Sequence, residues 1–257
     1  MICSTQTDKG QKRSNNQDYC AVKKYTEKTY LAVVCDGMGG VKGGEEASKI
    51  ACDAFVAAVD KWITPYLKNR QKQIGTSEIK RMLVKGVDLA NEQVYLKAKN
   101  TDNKGMGTTI VAALIIDKTA FCLNVGDSRI YQIKGNSIKQ VTKDHSYVQY
   151  LIDIGQMTPE EAESSSRKNI ITRAVGTEIS VEPDVYMEKL EENSFLLLCT
   201  DGLTNMVDNA TICDIVSGDR QGKQIGQIEL DLKARRLIDT ANENGGYDNV
   251  TAVLVRI

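Results

Sequence analysis

The chain has 257 residues, 41% hydrophobic and 26% charged, with three prolines; this is the profile of a packed globule and excludes a disordered or fibrous chain. A formal net charge of -1 leaves no basic footprint for nucleic acid or an anionic membrane. The length suits one large sandwich or barrel, so a single domain over 1–257 is expected.

The N-terminus, Met1 to Gly10, carries neither a basic n-region nor an apolar h-region, and no later apolar run approaches about 18 residues. A soluble, cytoplasmic protein is expected. Short runs rich in Val, Ile, Leu and Tyr predict strands over 19–22 and 30–35. Apolar residues at helical spacing predict helices over 45–62 and 77–99, joined by a loop over 64–76. Three strands follow in succession, 108–116, 120–125 and 129–133, then a weaker helix over 146–154 and a polar loop over 164–169. The rest predicts a strand over 194–199, helices over 210–217 and 231–243, and a strand over 250–257. Two strands, two helices and three adjacent strands are not the strict alternation of a doubly wound parallel sheet; they point to an α+β class, antiparallel sheets with helices outside. The seven cysteines form no Cys-x-x-Cys pair and sit mostly in apolar runs (Cys35, Cys52, Cys122, Cys199), as reduced core thiols do; no zinc site is indicated.

The chemistry lies in where aspartates fall relative to those strands. The run 31–35 leads into Asp36-Gly37, and 195–199 leads through Thr200 into Asp201-Gly202. The run 121–125 leads to Gly126-Asp127, and Gly245-Gly246-Tyr247-Asp248-Asn249 opens the final predicted strand. Glycine there lets the backbone turn tightly and approach a ligand. Singly, each Asp-Gly is an ordinary turn former. Together, converging aspartates repel one another and raise their own pKa values unless cations lie between them, and hard oxygen ligands select Mg²⁺ or Mn²⁺.

An ordered series of motifs spans nearly the whole chain: Arg13-Ser-Asn-Asn-Gln17-Asp18, Val34-Cys-Asp36-Gly37-Met38-Gly39-Gly40, Gly44-Glu45-Glu-Ala-Ser48, Met106-Gly-Thr-Thr109, Val125-Gly-Asp127-Ser-Arg129, Asp144-His-Ser146, Ile171-Thr-Arg-Ala-Val-Gly176, Thr200-Asp201-Gly202 and Asp248-Asn249-Val-Thr251. The series resembles the PPM family, the type 2C metal-dependent serine/threonine protein phosphatases, in its compact bacterial branch. The resemblance implies a four-layer αββα sandwich of two antiparallel β-sheets flanked by helices, with a small flap at about 147–170. It implies hydrolysis of phosphoserine and phosphothreonine in proteins by direct attack of a metal-activated water, opposing a bacterial serine/threonine kinase. It also implies two Mn²⁺ or Mg²⁺ ions, with a third held more weakly. In that reading Asp36 bridges the first two ions, Asp201 and Asp248 hold the first, and Asp18 and the main-chain carbonyl of Gly37 serve the second. Asp127, with Asp201, holds the third. Arg13 matches the family's phosphate-binding arginine, whose planar fork suits two phosphoryl oxygens, and with Asp36 it makes the catalytic set. Away from the motif, Arg13 reads as a surface arginine paired with Asp18. The partners implied are phosphorylated proteins, met by a monomer.

The chain departs from the family at two places. Met38 stands where many eukaryotic members carry a histidine thought to protonate the leaving alkoxide, and a thioether donates no proton. Val41 stands where many bacterial members carry a histidine. His145 is the sole histidine; Asp144 or Ser146 next to it suits a helix cap, so His145 is read as structural. Neither Cys-x5-Arg nor Asp-x-Asp occurs, which removes the other common phosphatase nucleophiles. Two further alternatives stand beside the phosphatase: a catalytically weak binding module of the same fold, and a two-metal hydrolase of small phosphorylated metabolites.

Overall fold

The computed structural model describes residues 1–68, 74–101, 103, 105–218 and 225–257, with residues 41 and 42 by backbone alone. One sheet runs β1 (Ile2–Asp8), β11 (Val250–Arg256), β10 (Phe195–Cys199), β7 (Arg129–Lys134) and β8 (Ser137–Gln140). The other runs β2 (Asp18–Thr26), β3 (Thr29–Met38), β5 (Ile110–Ile116), β6 (Thr119–Val125) and β9 (Asp184–Lys189), with the two-residue β4 (Gly107–Thr108) against the end of β3. Every pairing is antiparallel.

The two sheets stack face to face: Ala32, Val34, Val111 and Ala113 from one pack with Ile130, Leu198, Val253 and Val255 from the other. The alternate residues of the same strands face outward onto helices. Leu31, Val33, Ala112 and Leu114 meet Phe55, Val59, Leu83 and Val87 of α1 (Gly40–Lys68) and α2 (Thr76–Asn100). Leu197, Ala252 and Leu254 meet Leu230, Leu237 and Ile212 of α6 (Asn209–Ser217) and α7 (Gln227–Glu243). This is the expected four-layer αββα sandwich. It explains why the central strands read as unbroken apolar runs: both faces are covered, so neither position of the period-2 pattern needs to be polar.

The differences from the sequence reading have physical causes. The segment expected as one strand over 108–116 is interrupted at Thr109, whose N–H donates to the Asp36 carbonyl and whose hydroxyl accepts from the Asp36 N–H and pairs with the Ser128 hydroxyl. Of the expected loop 64–76, α1 takes the residues up to Lys68 and α2 begins at Thr76; 69–73 lie outside the described residues, as does the Val41 side chain. Strands β1, β8 and β9 were not expected. They lie at sheet edges with many polar residues, where packing on one side is enough. The flap region carries α3 (Tyr147–Asp153), capped by Ser146, and α4 (Pro159–Glu163), started by a Thr158/Glu161 capping box. Its two ends meet in an antiparallel bridge between Ser146 and Ile171.

Candidate metal centre

The aspartates come to one end of the sandwich because strand ends and turns converge there. Asp18 opens β2 directly opposite Asp36 in β3. Asp36 is gripped through its main chain: its carbonyl accepts from the Thr109 N–H and the Thr108 hydroxyl, each at 2.8 Å, and its N–H donates to Thr109 Oγ1 at 3.0 Å. Gly37 follows in a space where a Cβ would lie 2.0 Å from the Gly44 carbonyl oxygen, so only glycine fits. Asp127 follows β6 through Gly126, whose φ of +109° and close approach to Thr109 again demand glycine. Asp201 begins α5 (Asp201–Thr204) straight after β10, and Asn205 donates to its Oδ2 at 2.9 Å. Asp248 immediately precedes Asn249 and β11.

Arg13, Asp36, Gly37, Asp127, Asp201 and Asp248 line one cavity of about 450 Å³, together with Gln17, Met38 and Asn249. Asp18 lies behind that lining, 7% exposed. A larger cavity of about 880 Å³ shares Asp127 and Asp201 and continues beneath the flap past Val148, Ile152, Pro159 and Lys168. A third, of about 560 Å³ between α1 and α2, has a single carboxylate, Glu78, in its lining and offers no comparable donor set. Arg13 sits at the rim and donates to Asp248 Oδ2 at 2.8 Å; Asp248, not Asp18, is its partner.

The electrostatics are those of anions forced together. Burial, then the charges of Asp18, Asp201, Asp127 and Asp248, push Asp36 well above the usual carboxylate range. Asp18 is pushed up to about 7, chiefly by burial and against the lowering effect of hydrogen bonds from Thr251 and Thr200. Asp127 is pushed up to about 8 by burial and then by Asp201 and Asp144. Asp201 is raised by burial and then by Asp248. Asp18 Oδ2 accepts from Thr251 at 2.7 Å and Thr200 at 3.0 Å, while its buried Oδ1 has no hydrogen-bond partner among the described residues. Such a set holds its charge only beside a cation, and an all-oxygen donor set suits a hard divalent ion. Among the described residues no three of these side chains already close on one point. The fit therefore rests on the shared cavity, the mutual repulsion and the chemistry of the donors.

Sequence reasoning missed the supporting residues. Asn249 ties down the segment that carries Arg13, accepting from the Gln17 N–H at 2.8 Å and donating to the carbonyls of Lys9 at 2.9 Å and Asn15 at 2.8 Å. Thr108, Thr109, Thr200 and Thr251 stood inside quoted motifs without a role. His145 is 7% exposed and does not line the cavity. Its Nδ1 accepts the Gly126 N–H at 3.2 Å, so the neutral ring carries its proton on Nε2, which donates to Asp184 Oδ2 at 3.2 Å. Burial pushes this imidazole down from its ordinary value. Asp144 is not a cap; it takes the Arg129 fork, Nε at 3.0 Å and Nη2 at 2.7 Å. Burial pushes the Cys20, Cys122 and Cys199 thiols up to about 12 and Cys35 up as well, so these are thiols and not thiolate nucleophiles.

A family model described as protein phosphatase 2C matches residues 5–218. The chain belongs to that family. With membership come the class, a protein serine/threonine phosphatase of the bacterial PPM type, and dependence on metal. Protein phosphatase PhpP of Streptococcus pneumoniae serotype 2 is 39% identical over 259 residues, covering 99% of this chain and 97% of the relative. The solved serine/threonine phosphatase of S. agalactiae superposes with a TM-score of 0.85 at 36% identity, covering 100% of this chain and 99% of the other. The catalytic domain of serine threonine protein phosphatase PstP, solved in complex with 2 manganese ions, superposes with a TM-score of 0.78 at 32% identity, over 98% and 96% of the chains.

Proposed function

We propose that the 450 Å³ cavity hydrolyses phosphoserine and phosphothreonine esters of proteins, with Asp36 placed to bridge two divalent cations. Asp201 and Asp248 hold the first, and Asp18 and the Gly37 carbonyl serve the second. Asp127, with Asp201, holds a third. The observation that carries this reading is the set of buried, mutually repelling carboxylates beside an arginine at the cavity rim. Divalent ions bound there supply an activated water and neutralise the phosphoryl oxygens. Arg13 contributes a two-pronged contact to the phosphoryl group and orients it over Asp36. Met38 lines the cavity as a thioether, so the proton for the departing alkoxide does not come from position 38.

Mn²⁺ or Mg²⁺ fits the oxygen donors, and phosphorylated proteins of a cognate serine/threonine kinase are the partners. No helix among the described residues is long and apolar enough to cross a membrane. The reading is completed by a monomer working in the cytoplasm as one domain, with the flap at about 147–170. The test is release of phosphate from phosphoserine and phosphothreonine peptides and from a panel of phosphorylated metabolites, with Mn²⁺ and after chelation. Turnover of the peptides that needs the ion supports the proposal. Full activity after chelation, or a marked preference for the metabolites, overturns it.

A further inference from the structure

The loop that carries Arg13 and the loop that carries Asp248 are fastened to each other just before those two residues. The Gln11 and Lys12 N–H groups both donate to the Gly246 carbonyl, at 2.8 Å and 3.2 Å. Lys12 and Tyr247 are brought together by the same joint as Arg13 and Asp248: the Lys12 ammonium stands 5.9 Å from the centre of the Tyr247 ring, within cation–π range. The ring is 61% exposed, yet it is seated. A Cβ on Gly245 would lie 2.6 Å from Tyr247 Cε2, at a φ of +127°, so any side chain at 245 would displace the ring. That close approach involves the ring and none of the aspartates, so the carboxylate cluster does not account for it.

Lys12 is exposed and makes no ion pair among the described residues; its partner is the ring. Other surface lysines are paired, Lys49 with Asp53, Lys139 with Glu188 and Lys143 with Asp153. The carboxylates at either end of this joint are already occupied. Asp8 Oδ1 accepts from the Gly10 N–H at 2.9 Å and from Asn242 at 3.2 Å, while Asp248 accepts from Arg13 on Oδ2 and from the Asn249 N–H on Oδ1, each at 2.8 Å. A cation with its charge unspent is thus held on an aromatic face, one residue along the chain from the arginine at the cavity rim.

We propose that Lys12 and Tyr247 form a subsite for a second negative charge on the substrate, a carboxylate or a further phosphoryl group within about three residues of the ester being cleaved. The inference rests on the reading of the cavity as a protein phosphatase site, and it narrows the substrates to phosphoproteins whose ester lies in acidic or multiply phosphorylated surroundings. An extended peptide advances about 3.3 Å per residue, a step that the long lysine stem beside Arg13 can span. Tyr247 restrains that stem and so lowers the side-chain entropy that an exposed lysine loses on pairing.

The experiment measures Mn²⁺-dependent phosphate release from phosphothreonine peptides by the full chain. A glutamate is walked from three residues before the phosphothreonine to three after it, against glutamine and lysine at the same place, and in a further set a phosphoserine replaces the glutamate. The readout is the ratio of kcat/KM for the glutamate peptide to that for its glutamine twin within one protein, so a general change in turnover cancels. In the wild type the ratio reaches roughly 3 at one or two positions, the size of one exposed charge pair. It is larger with phosphoserine, which carries more charge, and collapses toward unity as salt is raised to about 0.5 M. Lys12→Ala brings it to unity at low salt, Lys12→Glu inverts it in favour of the lysine peptide, and Tyr247→Ala lowers it part of the way. A gain with phosphoserine but not with glutamate, lost in Lys12→Glu, assigns the subsite to a second phosphoryl group. A Lys12→Glu protein that ranks the peptides as the wild type does, or a wild type with ratios of unity throughout, overturns the proposal. Hydrolysis of p-nitrophenyl phosphate is followed in parallel. If neither it nor any peptide is turned over with Mn²⁺, the phosphatase reading fails. Binding of fluorescently labelled peptides then decides: equal affinities for the glutamate, phosphoserine and glutamine peptides overturn the subsite as well, and a preference lost in Lys12→Glu upholds it.

Discussion

Thr200 and Thr251 both give their hydroxyl hydrogens to Oδ2 of Asp18, and Thr7 in turn lies 2.7 Å from the Thr251 hydroxyl. One carboxylate oxygen is saturated and the other left bare, which fixes the direction in which Asp18 can serve a cation. Thr251→Val should weaken the second cation about tenfold at a stability cost of only about 1–2 kcal/mol, and Thr251→Ser should restore it. Calorimetric titration with Mn²⁺ checks both, and unchanged affinity in the valine variant would remove the threonine from the site. For Asp36→Asn the change runs in opposite directions on function and fold. Turnover should fall by at least about 100-fold, while the metal-free protein should melt higher than wild type at neutral pH, because a buried carboxyl that must either take up a proton or repel its neighbours is gone. Cys199→Ser, in contrast, should keep turnover, since that thiol is fully buried among apolar residues. Asp36, Asp127, Asp201 and Asp248 were legible in the sequence because each stands beside or near glycine at a strand end, whereas Asp18 has no glycine beside it and was reached only through the family motif. The threonines were not legible, since a threonine in or beside a strand is an ordinary β-former and acquires meaning only when β10 and β11 bring Thr200 and Thr251 to Asp18.

At the scale of elements, the long central strands were readable because burial on both faces makes them continuous apolar runs. The edge strands β1 and β9 were not, because Ser4-Thr5-Gln6-Thr7 and Glu188-Lys189 give no such run. The turn after β6 shows how much an element end can carry. A Cβ on Gly126 would stand 2.6 Å from Thr109 Cγ2 at a φ that side chains avoid. Gly126→Ala should therefore cost about 2 kcal/mol or more, a fall of roughly 5 °C in Tm for a chain of this length, with loss of the most weakly held Mn²⁺. Scanning calorimetry and metal titration read the two effects separately; a variant that melts with wild type would show that the turn can relax.

The whole molecule is strained by its own site. In the folded protein Asp18 titrates near 7 and Asp127 near 8, whereas in the unfolded chain both return to about 3.9. The folded state thus holds more protons between about pH 4 and 8. This contribution to stability is fully present below about pH 4 and is lost as pH rises through the folded values. In EDTA the melting temperature should fall by on the order of 5 °C from pH 5.5 to 8.5, and saturating Mn²⁺ should remove most of that slope. A flat metal-free profile would mean that the carboxylates are not crowded as described.

The order of strands in the first sheet bears on how the protein comes into being. β11 is the latest strand in the chain, yet it lies between β1 and β10, and within the sheet β1 is hydrogen-bonded to it alone. A nascent chain that has emerged only through β10 has its first strand waiting without a neighbour, across more than two hundred intervening residues. Asp248, Asn249 and Thr251 arrive together with that missing strand, so the carboxylate cluster, the anchor of the Arg13 segment and the support of Asp18 are all completed in one late event. Pairing of such distant segments is slow compared with local folding. A chain that has not yet added β11 should accordingly be inert toward phosphoproteins, however well its earlier strands have formed.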